Sequence, residues 1–428
     1  MPDQLTSGGV APPLAKTFTR YQVFVAGCLV FLQFAVILDF MIISPLGAII
    51  MPALNVSPKQ FGLVVSAYAF SAGLSALLAA GFADRFDRKR ILLFFYTGFV
   101  IGTLWCGLAD SFPTLLMARI VTGLFGGVIG SVLLAIATDL FAAHLRGRVM
   151  GVVQTAFGAS QVLGLPVGLF LSNRWTWHAP FLAITAVGIA GGLVIAICLR
   201  PIDAHLALPQ ERRAFWHLFH TVAEPRYLVA FAATALVAMG GYLLMPFLSA
   251  FTVHNLEIDL GKLPIIYLVT GLCTIVIGPL IGKLADAIGR IQVFVVGCTV
   301  SIIMVLTYTH LGPVPLPMVI LVNVLMFVGI FSRMIPLQAL LSSIPALTQR
   351  GSFNAINSAV QQLAGGAASI VAGHIVSVGE HGKLQNIPAL GYLVAGITFF
   401  SAVLVWRIQR SIQKQSQPLV GLALGQAP

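Results

Sequence analysis

The stretch AAGFADRFDRKR, Ala79 to Arg90, is the strongest indication of the fold, because it returns in shortened form as IGKLADAIGR, Ile281 to Arg290. In each copy a helix end rich in small residues leads to Ala-Asp and then to basic residues. Each copy also leaves one strongly apolar stretch and enters another. A duplicated acidic-basic loop between hydrophobic segments predicts a membrane protein of two related halves, a design typical of chains that move solutes across a bilayer.

The composition excludes a soluble globular protein. Hydrophobic residues make up 58% of the 428 positions and charged residues only 9%, whereas a soluble domain carries about a quarter charged residues. A membrane-spanning helix needs about 20 apolar residues, so the chain can cross a bilayer many times and retain only short loops. The five cysteines lie inside apolar stretches without CxxC or His-partnered spacing, which predicts packing residues and no metal site.

The apolar stretches predict an all-α integral membrane protein with twelve transmembrane helices. The predicted spans are 21–50, 58–82, 91–110, 113–138, 149–172, 179–199, 226–252, 262–283, 291–311, 315–341, 351–378 and 388–408. They divide the chain into an N-terminal tail (1–20), a six-helix half (21–199), a linker (200–225), a second six-helix half (226–408) and a C-terminal tail (409–428).

The basic residues predict the orientation. On this map, 18 of the 24 Lys and Arg residues fall on the side shared by both termini and the linker. Positive charge marks the cytoplasmic side, so we expect a multi-pass protein of the cell (inner) membrane with both termini cytoplasmic. This segregation also explains the net charge of +11, and nucleic-acid binding need not be invoked.

A second landmark extends the repeat. Arg146-Gly147, which enters the fifth span, returns as Arg350-Gly351 at an offset of 204 residues, and Asp84 returns as Asp286 at an offset of 202. Nearly equal offsets at two independent positions indicate two halves in the same orientation, as parallel repeats require.

Over nearly its whole length the chain resembles the major facilitator superfamily. The loop motif of that family reads G-x-L-A-D-R-x-G-R-K/R, and the first copy departs from it at Ala80, Phe82 and Asp87. The second copy is closer to the motif, with Gly282, Leu284, Asp286, Gly289 and Arg290. The resemblance implies the major facilitator fold, two pseudo-symmetric halves of six helices each.

Three further segments carry the resemblance. LLMARIVTGLFGG, with Arg119 and Gly123, is similar to the family's signature in helix 4. GLPVG, from Gly164 to Gly168, resembles the antiporter motif of twelve-helix drug and sugar efflux members, although it lacks their adjacent Gly-Pro. Asp39 stands in the first span much as the family's first-helix acid does. The resemblance therefore implies proton-coupled efflux of a small molecule.

Asp39 is the acidic residue that the predicted spans place deep in the membrane. It lies 18 residues past Tyr21, beyond the midpoint of the first span. An ionised carboxylate is costly there unless it is paired or protonated. Burial favours the protonated form and a nearby cation favours the ionised form, so alternation between two settings would load and release a proton. The alternative is a fixed structural ion pair.

Arg119 lies six residues into the fourth span, at about the depth of Asp39 for a rise of 1.5 Å per residue. A pair between these two residues is therefore geometrically possible. The resemblance implies that this arginine faces the central cavity in proton-coupled efflux members. Its alternative role is a static counter-ion that holds the first and fourth helices together.

Arg333 lies 18 residues into the tenth span, and no acidic residue of that half stands at its level. Either it reaches the cytoplasmic interface or the backbone carbonyls near Pro336, or it meets a negatively charged group of the substrate. In the last case, the two positive charges of Arg119 and Arg333 exceed the one negative charge of Asp39, and the cavity has a net positive charge. Such a cavity favours anionic or zwitterionic cargo over lipophilic cations.

Polar side chains in the fifth and eleventh spans are candidates for cavity lining or for hydrogen bonds between helices. These are Gln154, Ser160 and Gln161 in the fifth span, and Asn354, Asn357, Ser358, Gln361 and Gln362 in the eleventh. His374, further along the eleventh span, either titrates in the cavity near neutral pH or packs with a hydrogen bond.

Glycine and loop residues predict mechanical roles. Close helix contacts are expected from Gly123, Gly127, Gly164 and Gly168, and Pro166 can bend the fifth helix. Asp84 can cap the N-terminus of the eleventh helix, and Arg85 or Arg88 can meet Asp139. The resemblance implies that these contacts, with Asp286 and Arg290 in the second copy, latch the two halves. The other interpretation is that the cluster only fixes topology.

We therefore expect an alternating-access transporter that exports a small organic molecule in exchange for protons. We expect a monomer in contact with membrane lipid, without cofactor, metal or nucleic acid. No metal cluster or nucleophile-base set in the sequence points to an enzyme. The alternatives are a uniporter or proton symporter for an organic anion or lipid-like metabolite and, in another class, a non-transporting membrane sensor.

Overall fold

The protein is described by a computed structural model. It covers residues 18–79, 85–203, 206, 221–222, 224–345, 349–379 and 382–424. Asp84 and most of the predicted central linker lie outside these residues.

The first half of the chain is an α-helical bundle. Its helices are α1 (Arg20–Ile42), α2 (Gly47–Ala53), α3 (Pro58–Ala79), α4 (Arg88–Gly107), α5 (Phe112–Leu140), α6 (Ala143–Ala159), α7 (Leu165–Arg174) and α8 (Ala179–Cys198). A π-helical turn, Ser160–Gly164, joins α6 to α7. Helix α1 begins at a capping box, in which Thr19 and Gln22 bind each other's backbone N–H groups.

The second half repeats this arrangement. Its helices are α9 (Pro225–Tyr242), α10 (Leu248–His254), α11 (Leu263–Ile288), α12 (Arg290–Thr309), α13 (Leu316–Leu341), α14 (Arg350–Ile375) and α15 (Ile387–Leu424). We call the end of the bundle that bears Arg20, Arg88 and Arg290 the basic face. The other end, which bears α2 and α10, is the opposite face.

The predicted all-α membrane fold is confirmed. In the described part of the chain, eleven helical segments are long and apolar enough to span a bilayer. The remaining predicted span, the eleventh (351–378), corresponds to α14. Its 26 residues exceed the about 20 that a membrane-spanning helix needs. Helix α14 is more polar than the other eleven because it carries the Asn and Gln residues of the eleventh span. It packs extensively against α3 and α9.

The predicted spans 21–50 and 226–252 are each broken, which corrects the prediction of single helices. Helix α1 ends at Ile42 before Pro45, and α9 ends at Tyr242 before Pro246. Proline lacks the N–H that a helix needs and clashes with the preceding turn. The short helices α2 and α10 that follow pack against each other, and Ser249 Oγ donates to the Ser44 carbonyl at 3.0 Å.

The buried core joins the two halves at the opposite face. One large cluster there takes residues from both halves, with Phe61 of α3 and Phe247 near α10 at a ring distance of 6.3 Å. Towards the basic face the main clusters are separate, one made of residues 25–202 and another of residues 227–408, against which Leu77 packs. The two halves are therefore joined most tightly at the opposite face.

A short hairpin ends the eleventh span earlier than predicted. Helix α14 stops at Ile375 instead of continuing to residue 378, because Val376 is extended. Strand β1 (Ser377–Val378) then pairs antiparallel with β2 (Leu384–Gln385). This hairpin lies at the opposite face, between α14 and α15.

Candidate functional site

Asp39 and Arg119 form a buried ion pair in the first half. Asp39 stands in the last turn of α1, Arg119 stands two turns into α5, and both are 0% exposed. Arg119 Nη1 donates to Asp39 Oδ2 at 2.9 Å and to the Asp39 carbonyl at 3.2 Å. Thr103 of α4 donates to the other carboxylate oxygen at 3.1 Å. Three helices thus meet at one carboxylate.

The rest of the Arg119 guanidinium has no acceptor in the described part of the chain. Its Nε and Nη2 atoms are buried without a hydrogen bond. The Tyr68 ring of α3 lies 4.5 Å from its central carbon, a cation–π contact that partly replaces the lost hydration. Because Asp39 supplies the compensating charge, loss of that charge would leave Arg119 poorly stabilised.

Two pairs of glycines bring the surrounding helices close to this ion pair. A Cβ at Gly123 would meet Ser71 Oγ and the Tyr68 carbonyl of α3, and Gly127 stands similarly against Ala72. On the other side, a Cβ at Gly164 would lie 2.5 Å from Leu38, next to Asp39, and one at Gly168 would lie 2.6 Å from Ile42. These contacts agree in position with the predicted packing glycines.

The fifth span is irregular beside the ion pair. Its α-helix gives way to the π-helical turn Ser160–Gly164, and Pro166 stands at the start of α7. Proline cannot donate the backbone hydrogen bond of a regular turn, and a π-turn is a common adjustment at such places. Ser160 Oγ donates to the Phe34 carbonyl of α1 at 3.3 Å, so the widened turn faces the helix that carries Asp39.

Arg333 is a second buried arginine, in the second half. It stands on α13 and is 2% exposed. Its Nη1 donates to Thr398 Oγ1 of α15 at 2.9 Å, while Nε has no acceptor in the described residues. Within that part of the chain, Arg333 therefore neither reaches the basic face nor binds the carbonyls near Pro336, two of the environments that the sequence allowed.

A cavity of about 110 Å³ lies beside Arg333, between α9, α13 and α14. Asn357 and Gln361 of α14 line it, as the sequence predicts. Thr234 of α9 also lines it and donates to Asn357 Oδ1 at 2.6 Å. The cavity thus combines one guanidinium with amide and hydroxyl groups.

An aromatic row separates the ion pair from the cavity. Phe40, next to Asp39, lies 5.2 Å from the Tyr68 ring and 5.9 Å from the Tyr242 ring. Tyr68 covers Arg119, and Tyr242 lines the cavity and donates to Gln362 at 3.1 Å. The ion pair and the cavity are therefore connected by a chain of aromatic contacts, Tyr68–Phe40–Tyr242.

Three predicted lining residues are not among those that line this cavity. Gln154 is exposed on α6. Gln161 is buried at the contact with α11, where Thr274 donates to it at 3.4 Å. His374 is exposed near the opposite face, and its Nδ1 lies 2.9 Å from the Ile370 carbonyl. The polar spacing on a helix does not by itself distinguish the cavity side from a helix-helix contact.

The structure shows only some of the contacts predicted for the residues of the duplicated loop. Arg88 Nε donates to Asp139 at 2.9 Å, which joins α4 to α5 within the first half and not one half to the other. Arg85 and Asp286 are exposed, and Arg290 donates to the Ala339 carbonyl at 2.9 Å. The predicted contact of Asp84 with the N-terminus of α14 lies outside the described residues.

Sequence reasoning missed the partners of the charged groups. Thr103, Thr398 and Tyr68 touch the two buried arginines or Asp39, yet each is a single polar or aromatic residue inside an apolar run. Their position one helix away from the charges is a property of the packing. The sequence carries no signal that separates them from other threonines and tyrosines.

Comparisons with known proteins agree with the fold described above. The sequence profile of the Major Facilitator Superfamily matches residues 29–336 and 230–423. An uncharacterized MFS-type transporter of Bacillus subtilis, YceJ, is 28% identical over 269 residues, which are 62% of this chain and 67% of YceJ. The multidrug resistance protein MdtG of Klebsiella pneumoniae is 26% identical over 254 residues, 57% of this chain and 60% of MdtG.

Solved structures share the fold. A bacterial homologue of the human lysosomal transporter Spinster, in an inward-facing and unoccupied conformation, has a TM-score of 0.75 at 18% identity and covers 93% of this chain and 99% of its own. A point mutant of the nucleoside transporter NupG has a TM-score of 0.73 at 13% identity and covers 90% and 99%. The alignment to the curated relatives spans about two thirds of YceJ and less of MdtG.

Proposed function

Because the chain belongs to the Major Facilitator Superfamily, a family of transporters and not of enzymes, we propose that it exports a small organic molecule in exchange for protons. Relatives such as MdtG and the Schizosaccharomyces pombe protein fnx1 are named multidrug resistance proteins, which favours efflux. The protein acts as a monomer in the cell (inner) membrane, surrounded by lipid, with both termini and the basic face towards the cytoplasm.

The observation that carries this proposal is the Asp39–Arg119 pair, with both side chains fully buried. Protonation of Asp39 removes one charge of the pair, and the remaining charge of Arg119 then lacks compensation. A proton at Asp39 thus favours a different arrangement of α1 and α5. Coupling follows if the two arrangements open the site to opposite sides of the membrane.

The two halves supply the movement. In the proposed orientation, the core at the opposite face lies towards the outside and holds the two halves together there, whereas the Arg88–Asp139 pair joins α4 to α5 at the basic face. Opening to the outside requires α2 and α10 to separate. The latch at the basic face then engages Asp84, Arg85, Asp286 and Arg290, with Arg88–Asp139 as its internal support.

The test is flux in everted membrane vesicles, on hits from a thermal-shift ligand screen. We expect uptake of the substrate into these vesicles to require an interior more acidic than the medium. We expect this uptake to be lost in Asp39→Asn. Asp110→Asn is the matched control, because Asp110 is an exposed carboxylate in the loop before α5. Gradient-independent flux in wild type would indicate a uniporter, and flux in the opposite direction a proton symporter. A protein that binds hits without any flux would be a sensor.

A further inference from the structure

The Arg333 guanidinium has unused hydrogen-bonding capacity. Its single hydrogen bond in the described residues runs from Nη1 to Thr398, which leaves Nε and Nη2 without acceptors there. These two atoms form one edge of the planar guanidinium, the edge that binds a carboxylate or another oxyanion through two parallel hydrogen bonds. Buried polar atoms are nearly always partnered, so an empty edge in a buried arginine calls for an explanation.

The charge of Arg333 is also uncompensated. Among the described acidic residues of the second half, Glu224, Glu257, Asp259 and Asp286 all stand at helix ends or in loops. Asp39 is already engaged by Arg119 in the first half. Arginine stays charged in proteins, and burial of an unpaired charge is strongly unfavourable. The missing partner is therefore an anion that the described part of the chain does not supply.

The cavity beside Arg333 has room and groups for such a partner. It measures about 110 Å³ and is lined by Arg333, by Asn357 and Gln361, and by apolar side chains such as Ile330 and Leu337. The apolar side chains suit a small hydrocarbon or aromatic body. The amides can orient further polar groups of a ligand.

We propose that Arg333 is the anion-recognition residue of the transported substrate and that the substrate is a small organic acid bearing a carboxylate or sulfonate group. Thr398 holds Nη1, which leaves Nη2, next to the buried Nε, as the guanidinium nitrogen that binds the anionic group first. This assignment rests on the proposed transport function but not on its coupling to protons. A cationic substrate in this cavity would face the unpaired guanidinium and be repelled.

Equilibrium binding to the purified full-length protein tests the assignment, without any gradient. The probes are two matched pairs, benzoate with benzamide and benzenesulfonate with benzenesulfonamide, and phenyltrimethylammonium as the cation. We expect wild type to bind each anion about 10- to 100-fold more tightly than its neutral partner, as hydrogen bonds to a charged group imply. We expect Arg333→Gln to abolish this preference and Arg333→Lys to reduce it.

Arg407→Gln is the matched control, since Arg407 is exposed on α15 and the same charge is removed from the same half. It should keep the anion preference.

Folding is followed by thermal melting, and Arg333→Gln should melt no lower than wild type, because it removes an unpaired buried charge. The assignment is overturned if wild type binds no anionic probe, or binds the amides and the cation as tightly as the anions. It is also overturned if Arg333→Gln keeps the preference for anions. A failure of proton coupling alone would leave the binding preference intact.

Discussion

Arg119 on α5 donates a 2.9 Å hydrogen bond to the Asp39 carboxylate on α1, across 80 residues of sequence, and both side chains are fully buried. Each charge compensates the other in a region that excludes water. Arg333 has no such partner in the described part of the chain. This difference between the two buried arginines distinguishes the pair proposed to respond to protons, in the first half, from the site proposed to bind an anion, in the second.

Replacement of one charge in the Asp39–Arg119 pair should destabilise the protein more than replacement of both. Asp39→Asn leaves Arg119 buried without compensation, which costs about 3–5 kcal/mol. The double variant Asp39→Asn/Arg119→Gln leaves no unpaired charge, so its melting temperature should exceed that of either single variant. Thermal melting of the purified variants measures this. Additive losses in the double variant would show that the two residues do not interact energetically.

Gly123→Ala should be strongly destabilising, because the new Cβ would meet backbone atoms of α3 at Tyr68 that cannot move independently. Overpacking of this kind costs about 1–3 kcal/mol. Gly164→Ala should be milder, since its Cβ meets the end of the flexible Leu38 side chain. Gly130→Ala on the same helix as Gly123 is the control, because a Cβ there would meet no atom of another helix within 4 Å. Equal melting temperatures for Gly123→Ala and Gly130→Ala would contradict close α3–α5 packing.

Arg88→Gln should slow transport several-fold while the protein still reaches the membrane. The Arg88–Asp139 pair is only partly shielded from water, with side-chain exposures of 7% and 21%, so its loss should cost only about 1 kcal/mol of stability. If the pair supports the proposed latch, its loss should therefore lower the rate of transport per molecule. Arg90→Gln, on an exposed residue of the same helix, is the control. Flux per molecule in vesicles is the readout, and normal turnover in Arg88→Gln would exclude the pair from the latch.

Export of an organic anion in exchange for a proton should be strongly voltage-dependent. If one monovalent anion leaves for each proton that enters, two charge equivalents move in the favourable direction. At about 2.3 kcal/mol per charge per 100 mV, an inside-negative potential then contributes about 4.6 kcal/mol per 100 mV. Proteoliposomes with a valinomycin-set potassium potential measure this with benzenesulfonate. Transport that is insensitive to potential would argue against the exchange of an anion for a proton.

Much of the fold follows from local sequence. The long apolar stretches, the duplicated loop and the offsets of 202 and 204 residues predict the helices and their repetition. The apolar pattern does not predict the breaks after Ile42 and Tyr242, although Pro45 and Pro246 stand 201 residues apart and so follow the same repeat. Proline is common in membrane helices, since neighbouring groups can satisfy the freed backbone, and its presence alone does not predict a break.

Only the charged residues of the site could be identified from the sequence, because a charge is rare within an apolar span. Asp39, Arg119 and Arg333 are recognisable from the sequence as buried charges because they lie within apolar spans, where a charge carries a large desolvation cost that a partner must offset. The identity of each partner depends on the tertiary packing. It placed Asp39 against Arg119, put Arg333 beside a cavity with a single hydrogen bond in the described residues, and put Gln161 and His374 elsewhere. Helical spacing fixes which residues share a face, but the rotation and contacts of each helix depend on packing against its neighbours.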